Sequence, residues 1–170
     1  MKRWMSTAAT IGLVVSGLGL AGPAAAQGGR PGAAELNRWA VDTWTSLDAM
    51  TDELTGLPAD NISGDLAASS AYTSPTNIGG YLWSTVTARD LGIIDDEDAR
   101  ERLSTTLDTL AGLERNDASG MFYNWYSPTT GEKLTTWPDS GDPVHPFLST
   151  VDNGSVSYTH LRAHETRGNL

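Results

Sequence analysis

Two kinds of side chain in this sequence suit chemistry on a sugar: carboxylates in loops, and flat aromatic rings beside amides. Asp60, Asp65, Asp139, Asp142 and Asp152 all stand outside the helical surfaces that the pattern predicts. Cleavage of a glycosidic bond uses two carboxyl groups flanking that bond. The run Phe122-Tyr123-Asn124-Trp125-Tyr126 joins rings that stack on pyranoses to an amide that bonds hydroxyls. In an extended segment Phe122, Asn124 and Tyr126 face one way and Tyr123 and Trp125 the other. One side is expected to pack on helices; the alternative is that both sides are core. Asp152 lies in Ser149-Thr150-Val151-Asp152-Asn153-Gly154, where capping a helix and touching a ligand are compatible roles. Asp60, in Leu57-Pro58-Ala59-Asp60-Asn61, is open to an ordinary Asx turn as well. Trp39 and Trp83 read as core, because each sits on a helix among apolar neighbours.

Other chemistries find little support. His145 is the only histidine outside residues 156–166, and there is no cysteine. No metal-ligand cluster, nucleotide loop or nucleophile elbow appears, so neither a metal nor a cofactor is expected.

The elements that must position these residues read as helices. Leu36, Trp39, Ala40, Thr43, Leu47, Met50 and Leu54 recur at spacings of three and four, which predicts a helix over 33–54. Thr55-Gly56-Leu57-Pro58 ends it. Residues 59–75 form a polar loop, long enough to suggest a function. Thr76 or Asn77 is expected to cap a second helix running to about Leu91, with Ile78, Tyr81, Leu82, Thr85, Val86 and Arg89 on one face. Gly79 and Gly80 permit close approach by a neighbouring helix or by a ligand. Asp95 caps a third helix, whose stripe runs from Ala99 through Leu103, Thr106, Leu107 and Leu110 to Leu113. Helices two and three form an antiparallel hairpin. Residues 122–126 and 132–137 read as a short β-hairpin around Ser127-Pro128-Thr129-Thr130-Gly131. Residues 147–154 read as the approach to a fourth helix.

Composition narrows the partners. The formal net charge is −10 at pH 7. Over residues 27–154, seven Lys and Arg stand against twenty Asp and Glu. Such a surface repels phosphate backbones and anionic lipid, so neither nucleic acid nor membrane is an expected partner. A neutral glucan or other oligosaccharide is compatible with it.

Both ends read as something other than domain. Lys2 and Arg3, an apolar stretch from Ala8 to Leu20, and Ala24-Ala25-Ala26 predict a signal peptide over 1–26, with residues 27–32 a linker. The mature protein is then secreted, periplasmic or in the cell envelope. Val156-Ser157-Tyr158-Thr159-His160-Leu161-Arg162-Ala163-His164-Glu165-Thr166 resembles the in-frame translation of a transposase-type sequencing adapter. Residues 155–170 are therefore expected to be non-native read-through that makes no persistent contacts.

Five motifs in order carry a family resemblance. They are Thr73-Ser74-Pro75-Thr76-Asn77-Ile78-Gly79-Gly80-Tyr81-Leu82, Ala88-Arg89-Asp90-Leu91-Gly92-Ile93-Ile94, Leu110-Ala111-Gly112-Leu113-Glu114-Arg115, the aromatic run 122–126, and the segment 149–154. Together they resemble the glucoamylase-like proteins, a group that includes bacterial endo-β-1,2-glucanases and a region of cyclic β-1,2-glucan synthases. The resemblance covers residues 33–154. It implies an all-α fold, here part of an (α/α)6 toroid: three helices, a short hairpin and the start of a fourth helix. It implies an exported glycoside hydrolase acting on a β-glucan, present as an N-terminal fragment that is inactive alone. The rival is a non-catalytic helical glycan-binding or cell-envelope protein. The residues implied at the cleft are Asp60, Asn61, Thr76, Asn77, Tyr123, Asn124, Trp125 and Asn153 for binding, with Asp152 as the catalytic candidate.

Overall fold

A computed structural model describes residues 31–169. The expected signal peptide and most of the linker lie outside these residues. The described chain folds into four helices: α1 (Ala33–Ala49), α2 (Pro75–Asp90), α3 (Asp96–Gly112) and α4 (Thr150–Asn169). The fold is all-α, as the resemblance implies.

Local chemistry explains where each helix begins and ends. α1 stops at Ala49 rather than Leu54. Asp52 takes the backbone out of the helix, its Oδ1 accepting the N–H groups of Leu54 and Thr55 at 3.0 Å each. The apolar stripe assigned to α1 is mostly solvent-facing: Leu36 is 50% exposed, Trp39 46% and Leu54 88%. The buried residue of α1 is instead Trp44, which stacks on Tyr81 with ring centroids 6.1 Å apart. Trp83 is also half-exposed, so of the three tryptophans on α1 and α2 only Trp44 is core.

α2 is capped by Ser74, whose Oγ accepts the Asn77 N–H at 3.3 Å, and Pro75 fills the first helical position. The cap is therefore upstream of Thr76 and Asn77, and this leaves both of their side chains available. Ile78, Tyr81, Leu82 and Thr85 are buried on the face the pattern assigns. α3 is capped by Asp95, which accepts the Asp98 N–H at 2.9 Å. Its Ala99, Leu103, Thr106, Leu107 and Leu110 are buried as expected.

α4 starts at Ser149, whose Oγ accepts the Asp152 N–H at 3.1 Å. Ser149, not Asp152, is the cap. The helix continues through the segment expected to be without contacts. Val156 and Ala163 are each 1% exposed within the main core, beside Leu57, Ile78, Leu82 and Leu107. The expectation of a contact-free tail is thus corrected. Val156, Thr159 and Ala163 follow a helical spacing of three and four, a stripe too sparse to stand out among polar neighbours. α4 runs parallel to α2: Thr76 meets Asp152 near their starts, and Trp83 meets Tyr158 further along. Gly79 makes that packing possible. A Cβ there would lie 3.1 Å from the Val156 Cα and 3.2 Å from the Ser155 carbonyl carbon.

The expected β-hairpin reduces to the single bridge between Tyr126 and Lys133. It belongs to a repeated device that the sequence reading missed. Residues 51–58, 115–122, 126–133 and 136–143 each close an eight-residue loop with an antiparallel bridge. Each carries a glycine at its sixth position with φ between 66° and 74°: Gly56, Gly120, Gly131 and Gly141. In each, that glycine N–H bonds the carbonyl of the second residue, which in turn donates its own N–H to the carbonyl of the seventh. Ser or Thr precedes every one of these glycines. Short turns of this design replace strands at the loop end of the helices.

Candidate functional site

The starts of α2 and α4 meet the 59–73 and 121–148 loops, and this junction gathers most of the residues that the motifs single out. Asn77 Nδ2 donates to Asp60 Oδ1 at 2.9 Å, and Asn61 Nδ2 donates to Asp60 Oδ2 at 3.3 Å. The neighbouring Thr76 hydroxyl donates to Asp152 Oδ1. Two carboxylates are therefore held by consecutive residues in the first turn of one helix. Asp152 itself occupies the first turn of α4, where unpaired backbone N–H groups and the helix dipole favour negative charge.

The aromatic run behaves as alternation predicts. Phe122, Asn124 and Tyr126 are buried, while Tyr123 and Trp125 remain partly exposed. Reciprocal backbone bonds of 2.9 and 3.0 Å between Thr73 and Tyr126 join this run to the start of α2. Tyr126 is fully buried; its hydroxyl donates to the Glu114 carbonyl at 2.6 Å and accepts the Tyr123 N–H at 2.8 Å. Burial pushes its phenol up to about 12.

Not every candidate is placed to touch a ligand. Asn153 is occupied within the fold: its Oδ1 accepts the Phe122 N–H at 2.8 Å, and its Nδ2 donates to the Phe122 and Ser149 carbonyls at 3.1 and 2.9 Å. It ties the aromatic run to α4. Tyr123 lies under Lys133, whose Nζ is 4.2 Å from the ring centroid. Asn124 is 5% exposed, and its Oδ1 has no hydrogen-bond partner among the described residues; the same holds for the Thr73 hydroxyl oxygen. Trp125 is where the site extends. It packs edge-on against Tyr72 at 5.5 Å and against Trp137 at 5.4 Å, while Tyr72 and Trp137 also meet at 5.4 Å. Tyr72 is in turn tied to the carboxylate cluster, its carbonyl accepting the Asp60 N–H at 2.9 Å. Sequence reading placed Trp137 in a strand and passed over Tyr72. No periodic signal marks either, since both sit in irregular loops.

Two hollows lie away from this junction. One, of about 620 Å³, is lined by Asp48, Asp52, Asp98, Glu101 and Arg102, among others. In it Arg102 bonds Asp98 and Asp48 at 2.5 Å each, which fixes α1 to α3. The other, of about 280 Å³, is an apolar groove between Trp39 on α1 and Trp83 on α2. Among the described residues no three metal-ligating side chains converge, and no helix is long and apolar enough to cross a membrane.

The all-helical arrangement is that of a glucoamylase-like fold. It matches a crystal structure from Bacteroides fragilis NCTC 9343, described as a candidate glucoamylase, with a TM-score of 0.57 at 14% identity. That match covers 82% of this chain and 36% of the other. The chain belongs to the family described as protein of unknown function DUF3131, which matches residues 38–136. It is also 34% identical over 126 residues to the cyclic β-(1,2)-glucan synthase NdvB of Rhizobium meliloti (strain 1021), covering 72% of this chain. The chain spans 4% of that protein's length. Two of the implications of the five motifs are thereby shown: similarity to a region of a cyclic β-1,2-glucan synthase, and a glucoamylase-like fold.

Proposed function

We propose that this chain is the N-terminal part of an exported glycoside hydrolase acting on a β-glucan, and that the junction of α2 and α4 forms one wall of its cleft. The observation that carries the reading is the pairing of Asp60 with Asn77 and of Asp152 with Thr76, beside a partly exposed ring cluster. Similarity to a protein named as a β-(1,2)-glucan synthase supports a β-linked glucan as the ligand. In this reading the helices belong to an (α/α)6 toroid, and further elements of that toroid supply at least one catalytic carboxylate. Asp152 binds substrate; the chain by itself binds glucan without cleaving it. The basic start, apolar stretch and Ala-rich site of residues 1–26 support export, with Gln27 as the mature N-terminus.

A non-catalytic glycan-binding role has one observation in its favour. Both carboxylates already accept hydrogen bonds from Thr76, Asn77 and Asn61, which suits fixed acceptors for sugar hydroxyls.

The test is direct. The full chain is titrated with β-1,2-, β-1,3- and β-1,4-linked glucose oligosaccharides and assayed for new reducing ends. Binding of a β-glucan without turnover is expected. Robust hydrolysis overturns the assignment of catalysis to a larger toroid, and binding to none of the glucans overturns the glycan reading. Mass spectrometry of the exported protein should find Gln27 or a near neighbour first; an intact Met1 on cytoplasmic protein overturns export.

A further inference from the structure

We propose that Tyr72, Trp125 and Trp137 form a stacking platform for a glucose-type pyranose, adjoining Asp60; the proposal rests on the glycan reading above. Tyr72 and Trp137 lie outside the motifs that carry the family resemblance, and the structure adds them.

The three rings come from three separate segments and meet only in the folded chain. Tyr72 and Trp125 flank the Thr73–Tyr126 bridge, and Trp137 stands in the eight-residue turn 136–143. Backbone bonds fix each segment: Leu134 N–H to the Trp125 carbonyl at 3.0 Å, and Trp137 N–H to the Asp142 carbonyl at 2.8 Å. All three side chains are partly exposed, and none belongs to either of the buried hydrophobic clusters. The three rings thus form a cluster of their own, apart from the buried core.

Their geometry selects the ligand. Interplanar angles of 90°, 81° and 60° set the three ring planes steeply to one another, so the cluster is built edge to face rather than as a parallel stack. Centroid separations of 5.4–5.5 Å mean that the rings touch one another, within the usual range for aromatic pairs. An aromatic cage for a quaternary ammonium needs room for the cation between its rings. A cation lies within about 6 Å of each centroid yet at van der Waals distance from each face, so opposed rings must stand well apart. No such gap exists here. A ligand must lie across the cluster, offering an apolar face to the rings and polar groups at its rim. A pyranose with equatorial hydroxyls has this shape, its C–H groups forming the face. Asp60 is exposed, its backbone N–H is bonded to the Tyr72 carbonyl, and its carboxylate is fixed by Asn77 and Asn61, which makes it the neighbouring acceptor for a hydroxyl. The acidic surface disfavours anionic planar ligands such as nucleotides.

The full chain is titrated calorimetrically with β-1,2-linked glucose oligosaccharides and, separately, with choline. Variants are Tyr72→Ala, Trp137→Ala, Trp137→Phe and, as a distant exposed control, Trp39→Ala. Wild type is expected to bind the oligosaccharide and not choline. Tyr72→Ala and Trp137→Ala should each weaken binding about tenfold, which is the scale of one aromatic–sugar stack at 1.4 kcal/mol per decade. Trp137→Phe should retain an intermediate affinity, separating loss of a ring from loss of fold, and Trp39→Ala should change nothing. Oligosaccharide binding that is unaltered in Tyr72→Ala and Trp137→Ala overturns the platform and leaves the glycan reading standing. Failure of wild type to bind any oligosaccharide, with or without choline binding, overturns both.

Discussion

Thr76 and Asn77 can hold two carboxylates because Ser74 caps α2 in their place. Had either residue served as the cap, its side chain would have turned back on its own helix. Instead Thr76 reaches Asp152 and Asn77 reaches Asp60. Asp152 is not a cap either, since Ser149 takes that role. A merely structural Asp152 would tolerate Asn almost silently; a binding residue would not. In the proposed hydrolase Asp152→Asn is expected to raise KM several-fold with kcat changed less, because an acceptor of hydroxyl protons is lost in ground and transition state alike. A fall in kcat of about 10²–10⁴ at unchanged KM would reassign Asp152 to general acid–base catalysis. Asn124 makes a second prediction at this scale. A buried acceptor without a partner costs about 1–3 kcal/mol. Asn124→Leu should therefore raise the unfolding free energy of the ligand-free chain by about 1 kcal/mol while weakening glucan binding. Unaltered binding by a stabilised Asn124→Leu would remove Asn124 from the site.

Element boundaries show which signals were legible. The stripe of α3 and its Asp95 cap were readable because strong periodicity and a good cap agree. The alternation of residues 122–126 was readable for the same reason, and it separated buried Asn124 from partly exposed Trp125. α1 was over-extended because Leu47, Met50 and Leu54 fit a helical spacing, yet Asp52 offers the backbone a competing turn. α4 is illegible beyond residue 154 because, among the described side chains, its inward face shows buried Val156 and Ala163 with part-buried Thr159, a sparse stripe among polar neighbours. Tyr72 and Trp137 were invisible as site residues because tertiary folding alone unites them. The glycine pair of α2 tests the packing that this implies. At Gly79 a Cβ would meet α4 backbone at 3.1 and 3.2 Å, whereas at Gly80 nothing lies within 4 Å. Gly79→Ala should destabilise by about 1–3 kcal/mol, and Gly80→Ala should stabilise by about 0.5–1 kcal/mol. Equal effects by urea denaturation would mean that α4 does not pack there. Deleting residues 156–170 makes the same point more coarsely. It removes buried Val156 and Ala163, so the thermal midpoint should fall by several degrees; an unchanged midpoint would return that segment to the contact-free tail first expected.

Across the whole molecule, the loop end and the helices are joined by a few buried polar ties, of which Tyr126 is the most central. Its hydroxyl links the Glu114 carbonyl beyond the end of α3 to the Tyr123 N–H, and its backbone pairs with Thr73 ahead of α2. Burial raises its phenol to about 12, above the ordinary value of 10.0, because the phenolate is disfavoured out of water. The sign follows by linkage. The folded chain holds this proton more tightly than the unfolded chain, so between about pH 10 and pH 12 the native state carries more protons. The stabilisation is fully present below pH 10.0 and is lost as pH rises through the folded value. At about 1.4 kcal/mol per pKa unit, the loss is on the order of 2–3 kcal/mol. Burial raises the Tyr81 phenol as well, with Arg102 opposing the shift, so Tyr81 adds to the decline. Urea unfolding of the wild-type chain should therefore show stability falling steeply from pH 10 to 12 after a flat region near pH 8–9. Tyr126→Phe leaves the Glu114 carbonyl and the Tyr123 N–H without their partner and should cost about 1–3 kcal/mol at pH 8. It should also flatten the part of the alkaline decline due to this phenol, leaving the shares due to Tyr81 and to Lys133, whose ammonium is held by Glu114. A decline of undiminished slope in Tyr126→Phe would show that alkaline unfolding begins elsewhere, and that the tie between the loop end and the helices does not rest on this phenol.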